Sequence, residues 1–205
     1  IIDASSNEDD GGEREYRTIS GKEKIVYLLR AKQSCISSNL LLKKEDEYST
    51  GYCSIKIKTV CKKIEANGFK APKLVFCQFH GEIDMLHREM EELIKVNSLA
   101  VYIYDGRQSI SKRKEMLCTK CDILILQIQC GCEGLNLQQF KEIHFVSPHW
   151  NPAVEDQAVA RCHRIGQTEP VNVYRYYMND VNDADGESMD AYIKNAQTNK
   201  RKDFV

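Results

Sequence analysis

The sequence predicts an α/β fold, a doubly wound parallel sheet with helices on both faces. Two observations predict it. Short, nearly all-apolar runs such as LVFCQF at 74–79 and DILILQI at 122–128 read as strands buried on both faces. Segments with apolar residues at helical spacing lie between them, and strands joined by helical crossovers pair in parallel. A length of 205 residues is enough for one domain with a sizeable core.

Each element follows from the residues. Residues 1–20 read as an acidic flexible tail, with Asp3, Glu8, Asp9, Asp10, Glu13 and Glu15 among few apolar residues. Residues 21–67 form a helical lead-in region. Its first helix runs from Gly21 to about Gln33, with Ile25, Leu28 and Leu29 on one side. A polar loop at 43–52 separates it from a second helix, Ser54 to Ala66. Ser54 caps that helix, Ile55, Val60 and Ile64 form its apolar side, and Gly68 ends it. The core domain spans 68–180. A strand at Leu74–Phe79 leads to a helix over 82–96, with Ile83, Leu86, Met90, Leu93 and Ile94 at helical spacing. A strand at Leu99–Tyr104 and a helix at Ser111–Cys118 follow. Three more strands are expected at Asp122–Ile128, Ile143–Val146 and Val171–Tyr176. Residues 181–205 carry the end of an acidic turn and a helix at 188–203, with Met189, Tyr192, Ile193 and Ala196 on one side.

Composition narrows the function. Lys and Arg number 29 against 30 Asp and Glu, a net charge of −1, so any nucleic-acid contact must come from a local groove. No apolar run approaches the ~20 residues that span a bilayer. The chain begins Ile1-Ile2 with no signal-peptide pattern, and is read as part of a longer intracellular protein. Nine cysteines, an odd number, argue against a complete disulfide framework and for reduced thiols. A zinc site from Cys118, Cys121, Cys130 and Cys132 is disfavoured, because a strand separates the two pairs by some 20 Å. No metal ligand is assigned.

The stretch 131–167, GCEGLNLQQFKEIHFVSPHWNPAVEDQAVARCHRIGQ, carries the densest signals. Asn151 caps a helix and Pro152 occupies its first position. Glu155 and Asp156 suit the positive end of the helix dipole, and Gly166 sits where the helix would end. Gln157, Arg161 and Arg164 at i, i+4 and i+7 then share one face. Paired guanidiniums bind polyphosphate bidentately, although a solvated basic face has the same pattern. Loops after the strands matter too, since open α/β sheets bind ligands at the carboxyl ends of their strands. They contain Gln78, Phe79 and His80, then Asp105-Gly106-Arg107, then 131–136, then Ser147 to Trp150. All four are expected on one edge. A simple turn at Asp105-Gly106 and core packing of Trp150 are the bland readings.

GLNL, WNP, ExQA and RxHRIGQ in this order and spacing resemble the Swi/Snf-like branch of the superfamily-two helicases and translocases, over the C-terminal RecA-like lobe. Residues 125–137 resemble motif V, 157–167 motif VI, 78–80 motif IV, and Asp105-Gly106 with Arg113 the DG-x-R element. The resemblance implies that Arg161 and Arg164 are arginine fingers and that Gly134, Asn136 and Gln157 join them at ATP. It also implies DNA contacts from Gln78, His80, Gly106, Arg107, Arg113, Gly131 and Trp150. The implied cofactor is ATP with Mg2+, bound mainly by an N-terminal lobe, because the sequence has no GxxxxGK[ST] phosphate loop and no DExx motif in a suitable strand context. The implied partners are that lobe, double-stranded DNA, and nucleosomes or other DNA-bound proteins. The implied place is the nucleus, or a viral replication site in the cytoplasm if the source is a virus. This fragment alone is expected to hydrolyse no ATP. The C-terminal helix is the counterpart of a helix that braces the lobes, or else packs only on its own domain. The sequence departs from the family at Cys132, where a second glycine is usual, at Cys130 and at Ser147. A strand-separating DNA or RNA helicase, and a non-catalytic nucleic-acid-binding scaffold, are the alternatives.

Overall fold

The structure is a computed structural model that describes residues 20–42, 54–131, 134–178 and 187–202. The expected acidic tail, the polar loop at 43–52, most of the acidic turn and Cys132 fall outside these residues.

Five strands form one parallel sheet: β1 (Lys73–Cys77), β2 (Val101–Tyr104), β3 (Ile123–Gln127), β4 (Glu142–Phe145) and β5 (Asn172–Arg175). Their spatial order is β2-β3-β1-β4-β5, with β1 at the centre, paired to β3 and β4. Side chains alternate across the pleat. Val75, Cys77, Ile123 and Ile125 join one core layer with Ile57, Val60, Ile64, Ile83 and Leu86. Leu74, Phe76, Leu124, Leu126, Ile143 and Phe145 join the other with Leu137, Phe140, Ala158 and Cys162. Two covered faces make the sheet doubly wound, as expected from the continuous apolar runs.

Helix α1 (Gly21–Ile36) starts in a capping box between Ser20 and Glu23 and runs three residues past its expected end. Its expected apolar side is not buried. Ile25, Leu28 and Leu29 are exposed, and only its last turns, with Lys32, Cys35 and Ile36, reach the core. A 3-10 turn, η1 (Ser38–Leu41), follows. In α2 (Ile55–Ala66) the buried stripe is Ile57, Val60, Cys61 and Ile64; Ile55, at the first helical position, points to solvent instead of into the apolar side. Gly68 ends this helix at φ 66°.

The single helix expected over 82–96 is two: α3 (His80–Glu89) and α4 (Glu91–Asn97). Met90, at φ −87°, ψ −5°, is at once the C-cap of α3 and the N-cap of α4 while staying fully buried, so the apolar repeat continues through a break that it cannot signal. Helix α5 (Ile110–Cys118) is capped by Ser109. Strand β3 ends at Gln127, and a helical turn, α6 (Ile128–Gly131), replaces the strand end and loop start expected there. Helix α7 (Pro152–Cys162) begins as expected, with the Asn151 side chain accepting from Ala153 N–H. Helix α8 (Met189–Lys202) buries Asp190, Ile193 and Gln197 rather than a purely apolar stripe. It packs against α1 and α7, and Asp190 forms a buried ion pair with Lys56 of α2.

A polar cluster lies beneath β1, β4 and β5. Lys73 and Glu142, opposite each other in the register, form a buried ion pair of 2.8 Å. His144 Nε2 lies 2.7 Å from Glu142 Oε1, its Nδ1 lies 2.8 Å from the Tyr176 hydroxyl, and its ring stacks on Tyr174. Burial works to raise the Glu142 pKa, but the hydrogen bonds from His144 and Lys73 outweigh it and hold the carboxyl at about 2. Burial pushes His144 the other way, below its ordinary value, so the imidazole is neutral. Both groups bind protons less well folded than unfolded. Their stabilisation is therefore present above the unfolded values, roughly 4.3 for Glu and 6.5 for His. It is lost as pH falls through the folded ones. Denaturation of the chain at a series of pH values should give a midpoint that falls from about pH 6.5 downwards, with the steepest loss between about 4.3 and about 2. Glu142→Gln should flatten that lower limb. An unchanged limb in this variant would remove the cluster as its cause.

Candidate functional site

The carboxyl ends of β1, β2 and β3 are joined by one amide, Gln127. Its Oε1 accepts from Gly106 N–H at 3.4 Å and lies 3.2 Å from His80 Nε2. Its Nε2 donates to the Gln78 carbonyl at 3.4 Å. Gln78 in turn donates from Nε2 to the carbonyls of Pro148 and Ser147, at 2.9 and 3.3 Å. Three of the four loops expected on one edge, those after β1, β2 and β4, are thus tied together, whereas Asn136, expected with them, falls elsewhere. Gln127 was missed in the sequence because it reads as the end of an apolar strand. A polar residue closing such a run was the available signal.

Glu82 sets the start of α3. It is fully buried, accepts from the N–H groups of Gln78 and Phe79 at 2.7 and 3.1 Å, and accepts from Ser147 Oγ at 3.3 Å. Arg107 is half-exposed and already engaged. It donates to Asp84 through both terminal nitrogens at 2.9 Å and to Asp105 from Nε at 2.8 Å. These carboxylates raise its pKa further and offset its charge. Arg113 lies over the Tyr104 ring, 5.6 Å from its centroid.

Trp150 lies two residues beyond Pro148 in the loop after β4. Tyr192 of α8 meets it edge-on at 6.4 Å between ring centroids, and Lys32 of α1 places Nζ 5.7 Å from its centroid. Lys200 donates to its carbonyl at 3.3 Å. It is half-buried between two helices, so packing accounts for much of its surface.

The two arginines form a second cluster. Arg161 is in the last turn of α7, but the helix ends at Cys162, and Arg164 lies beyond it. The single face expected for Gln157, Arg161 and Arg164 therefore holds only for the first two. His163 leaves helical geometry at ψ 78°, and Gly166 adopts φ 98° in a separate turn instead of closing the helix. The turn is bonded to the loop after β3. Gln138 Nε2 donates to the Ile165 carbonyl at 2.9 Å, and Gln167 Nε2 donates to the Gln138 carbonyl at 2.8 Å. Leu137 N–H donates to the Arg161 carbonyl at 3.2 Å. Asn136 is adjacent, its Oδ1 accepting from Gln138 N–H at 3.3 Å, and Gly134 turns the chain at φ 68°. The chain segments that carry Asn136, Arg161 and Arg164 are thus brought together, with Gly134 leading in, and Gln157 is exposed one turn earlier. This group lies towards the amino end of β4, away from the edge that carries Gln78, His80 and Gly106. Gly131 closes α6 at that carboxyl edge. Chemically the second cluster offers an amide and two half-buried guanidiniums, a donor set suited to phosphate oxygens.

Residues 55–166 match the profile of the helicase conserved C-terminal domain. DNA repair protein RAD5 of Eremothecium gossypii is 30% identical over 180 residues, covering 79% of this chain and 16% of that protein. RAD5 of Saccharomyces cerevisiae is 34% identical over 114 residues, 52% of this chain and 10% of that protein. Helicase SWR1 of Debaryomyces hansenii is 31% identical over 126 residues, 59% of this chain and 7% of that protein. The chain spans about one sixth or less of the length of these curated relatives. The crystal structure of the C-terminal part of the Fun30 ATPase domain superposes with a TM-score of 0.52 at 20% identity. It covers 73% of this chain and 55% of that one, and shows that the fold is shared.

Proposed function

This chain belongs to the helicase conserved C-terminal domain family, in its Swi/Snf-like branch, and from that premise we propose that it is the second motor lobe of an ATP-dependent double-stranded DNA translocase. The observation that carries this reading is the end of α7 with Arg161 and the turn after it with Arg164, both hydrogen-bonded to the segment that bears Asn136. The two guanidiniums are the arginine fingers. They act on an ATP held, with Mg2+, mainly by an N-terminal RecA-like lobe, and stabilise the charge that spreads over the departing γ-phosphoryl. Gly134, Asn136 and Gln157 complete this side of the nucleotide cleft.

The loops joined through Gln127 form the DNA side, with Gln78, His80, Gly106, Arg107, Arg113, Gly131 and Trp150 as contacts. Backbone amides and basic side chains there suit phosphates, so recognition is of the duplex backbone and not of base sequence. Arg107 must exchange Asp84 for a phosphate, which makes binding salt-dependent. Closing and opening of the lobes then moves the motor along DNA and remodels bound protein, nucleosomes included. The relatives are cellular proteins named for DNA repair and as a helicase, which favours the nucleus over a viral replication site.

The test is ATP turnover by the full-length protein. We expect turnover that rises at least tenfold with duplex DNA, no strand separation, and no turnover by the 205-residue chain alone. Strand separation would move the reading to an unwinding helicase. No turnover by the full-length protein under either condition would leave a nucleic-acid-binding scaffold.

A further inference from the structure

We propose that Glu155 is a positioning residue for the arginines, and that α8 acts on them through it by way of Gln197. The inference rests on the reading of Arg161 and Arg164 as fingers.

Glu155 lies in the first turn of α7 and is fully buried. Its two oxygens take donors from three separate elements. His149 N–H, in the loop after β4, donates to Oε1 at 2.8 Å, and Gln197 Nε2, on α8, donates to the same oxygen at 2.9 Å. Arg175 Nε, on β5, donates to Oε2 at 2.8 Å. Gln197 also donates to the His149 carbonyl at 2.6 Å, so α8 holds both the loop and the carboxylate. A buried carboxylate with three donors holds its helix in one orientation, because any tilt strands charge away from its partners. Oppositely charged Arg201 and Asp156, 2.7 Å apart, add an exposed contact between the same two helices.

The lever is α7 itself. Its 11 residues span roughly 16 Å. Its far half rests on the apolar contacts of Ala158 and Cys162 and on hydrogen bonds to its last carbonyls, from Leu137 N–H to Arg161 at 3.2 Å and from Gln167 Nε2 to Cys162 at 3.4 Å, so an angle set at Glu155 is passed on to the turn that follows. From Glu155 to Arg161 the helix rises about 9 Å, so a tilt of about 6° about the anchor carries the arginine about 1 Å, enough to cost up to a hundredfold in rate. The seat of α8 on Glu155 therefore sets where Arg161 stands and where the turn that carries Arg164 begins.

Gln197→Leu in the full-length protein removes the α8 donor while keeping the side chain's bulk and leaving Glu155 its other two partners. DNA-stimulated kcat should fall five- to tenfold with KM for ATP unchanged and the thermal midpoint within a few degrees of wild type. Glu155→Gln should act in the same direction. Arg175→Lys keeps a cation beside Glu155 and should restore most of the kcat that Arg175→Met loses. Wild-type kcat in folded Gln197→Leu and Glu155→Gln, or losses that track the unfolded fraction, would overturn the proposal. Arg164→Ala is assayed beside them. Turnover lost in that variant but unchanged in the other two sinks only the positioning role, whereas turnover kept in Arg164→Ala sinks the finger reading and the positioning role with it.

Discussion

Arg164→Ala in the full-length protein should lower DNA-stimulated ATP turnover by about a thousandfold or more, the usual effect of removing an arginine finger. Several features make the variant clean. Arg164 lies outside α7, so no helical hydrogen bond depends on its side chain. The turn around it is held by backbone groups and by the Gln138 and Gln167 amides, which alanine leaves in place. Duplex affinity should stay within a few-fold, because the DNA side lies at the carboxyl edge of the sheet. Arg164→Lys should recover little, since an ammonium cannot reproduce the planar fork. Steady-state turnover with saturating duplex, paired with a titration of labelled DNA, separates the two effects. Weakened DNA binding at normal turnover would reassign Arg164 to the track.

Lys32→Met should stabilise the 205-residue chain at pH 7 by roughly 2 to 3 kcal/mol. Lys32 is fully buried between α1, Trp150 and the polar groups beneath α8, and its ammonium has no hydrogen-bond partner among the described residues. Burial brings its pKa down from 10.5 to about 8, against the attraction of Glu82 and Asp190. A base held less readily protonated when folded costs stability wherever it is charged. That cost is full below about 8 and disappears as pH rises past 10.5. Methionine keeps the length and apolar stem without the charge. Urea denaturation at pH 7 and again at pH 10 is the check. The gain should shrink between the two. A loss of stability at pH 7 would mean that the ammonium's attraction to Glu82 outweighs its desolvation.

The sheet was legible in the sequence because strands buried on both faces leave long apolar runs, and 74–79 and 122–128 needed no context to be read. Helix starts were legible where a side chain caps the backbone, at Ser54 and Asn151. What stayed hidden was decided by tertiary contacts. Met90 breaks a helix without interrupting its apolar repeat. Arg164 leaves the helical face because the chain turns to meet Gln138, a partner distant in sequence. Asp190 and Gln197 look like solvent positions on an amphipathic helix, yet they face buried partners, Lys56 and Glu155. Ile25, Leu28 and Leu29 look like a core stripe, but this part of α1 is covered by no described residue. Periodicity records which residues share a face and not what that face meets.

The central place of β1 also has a consequence during synthesis. Its partners lie about fifty and seventy residues further along, in β3 and β4. While the ribosome is still making residues 78–122, β1 is an apolar segment with both edges open. Local helices can form early, but the sheet cannot close around its middle strand until Phe145 has emerged. Such a delay exposes a strand of high β-propensity to neighbouring chains. Folding yield in the cell should therefore depend more on chaperone access to LVFC at 74–77 than on the stability of the finished domain.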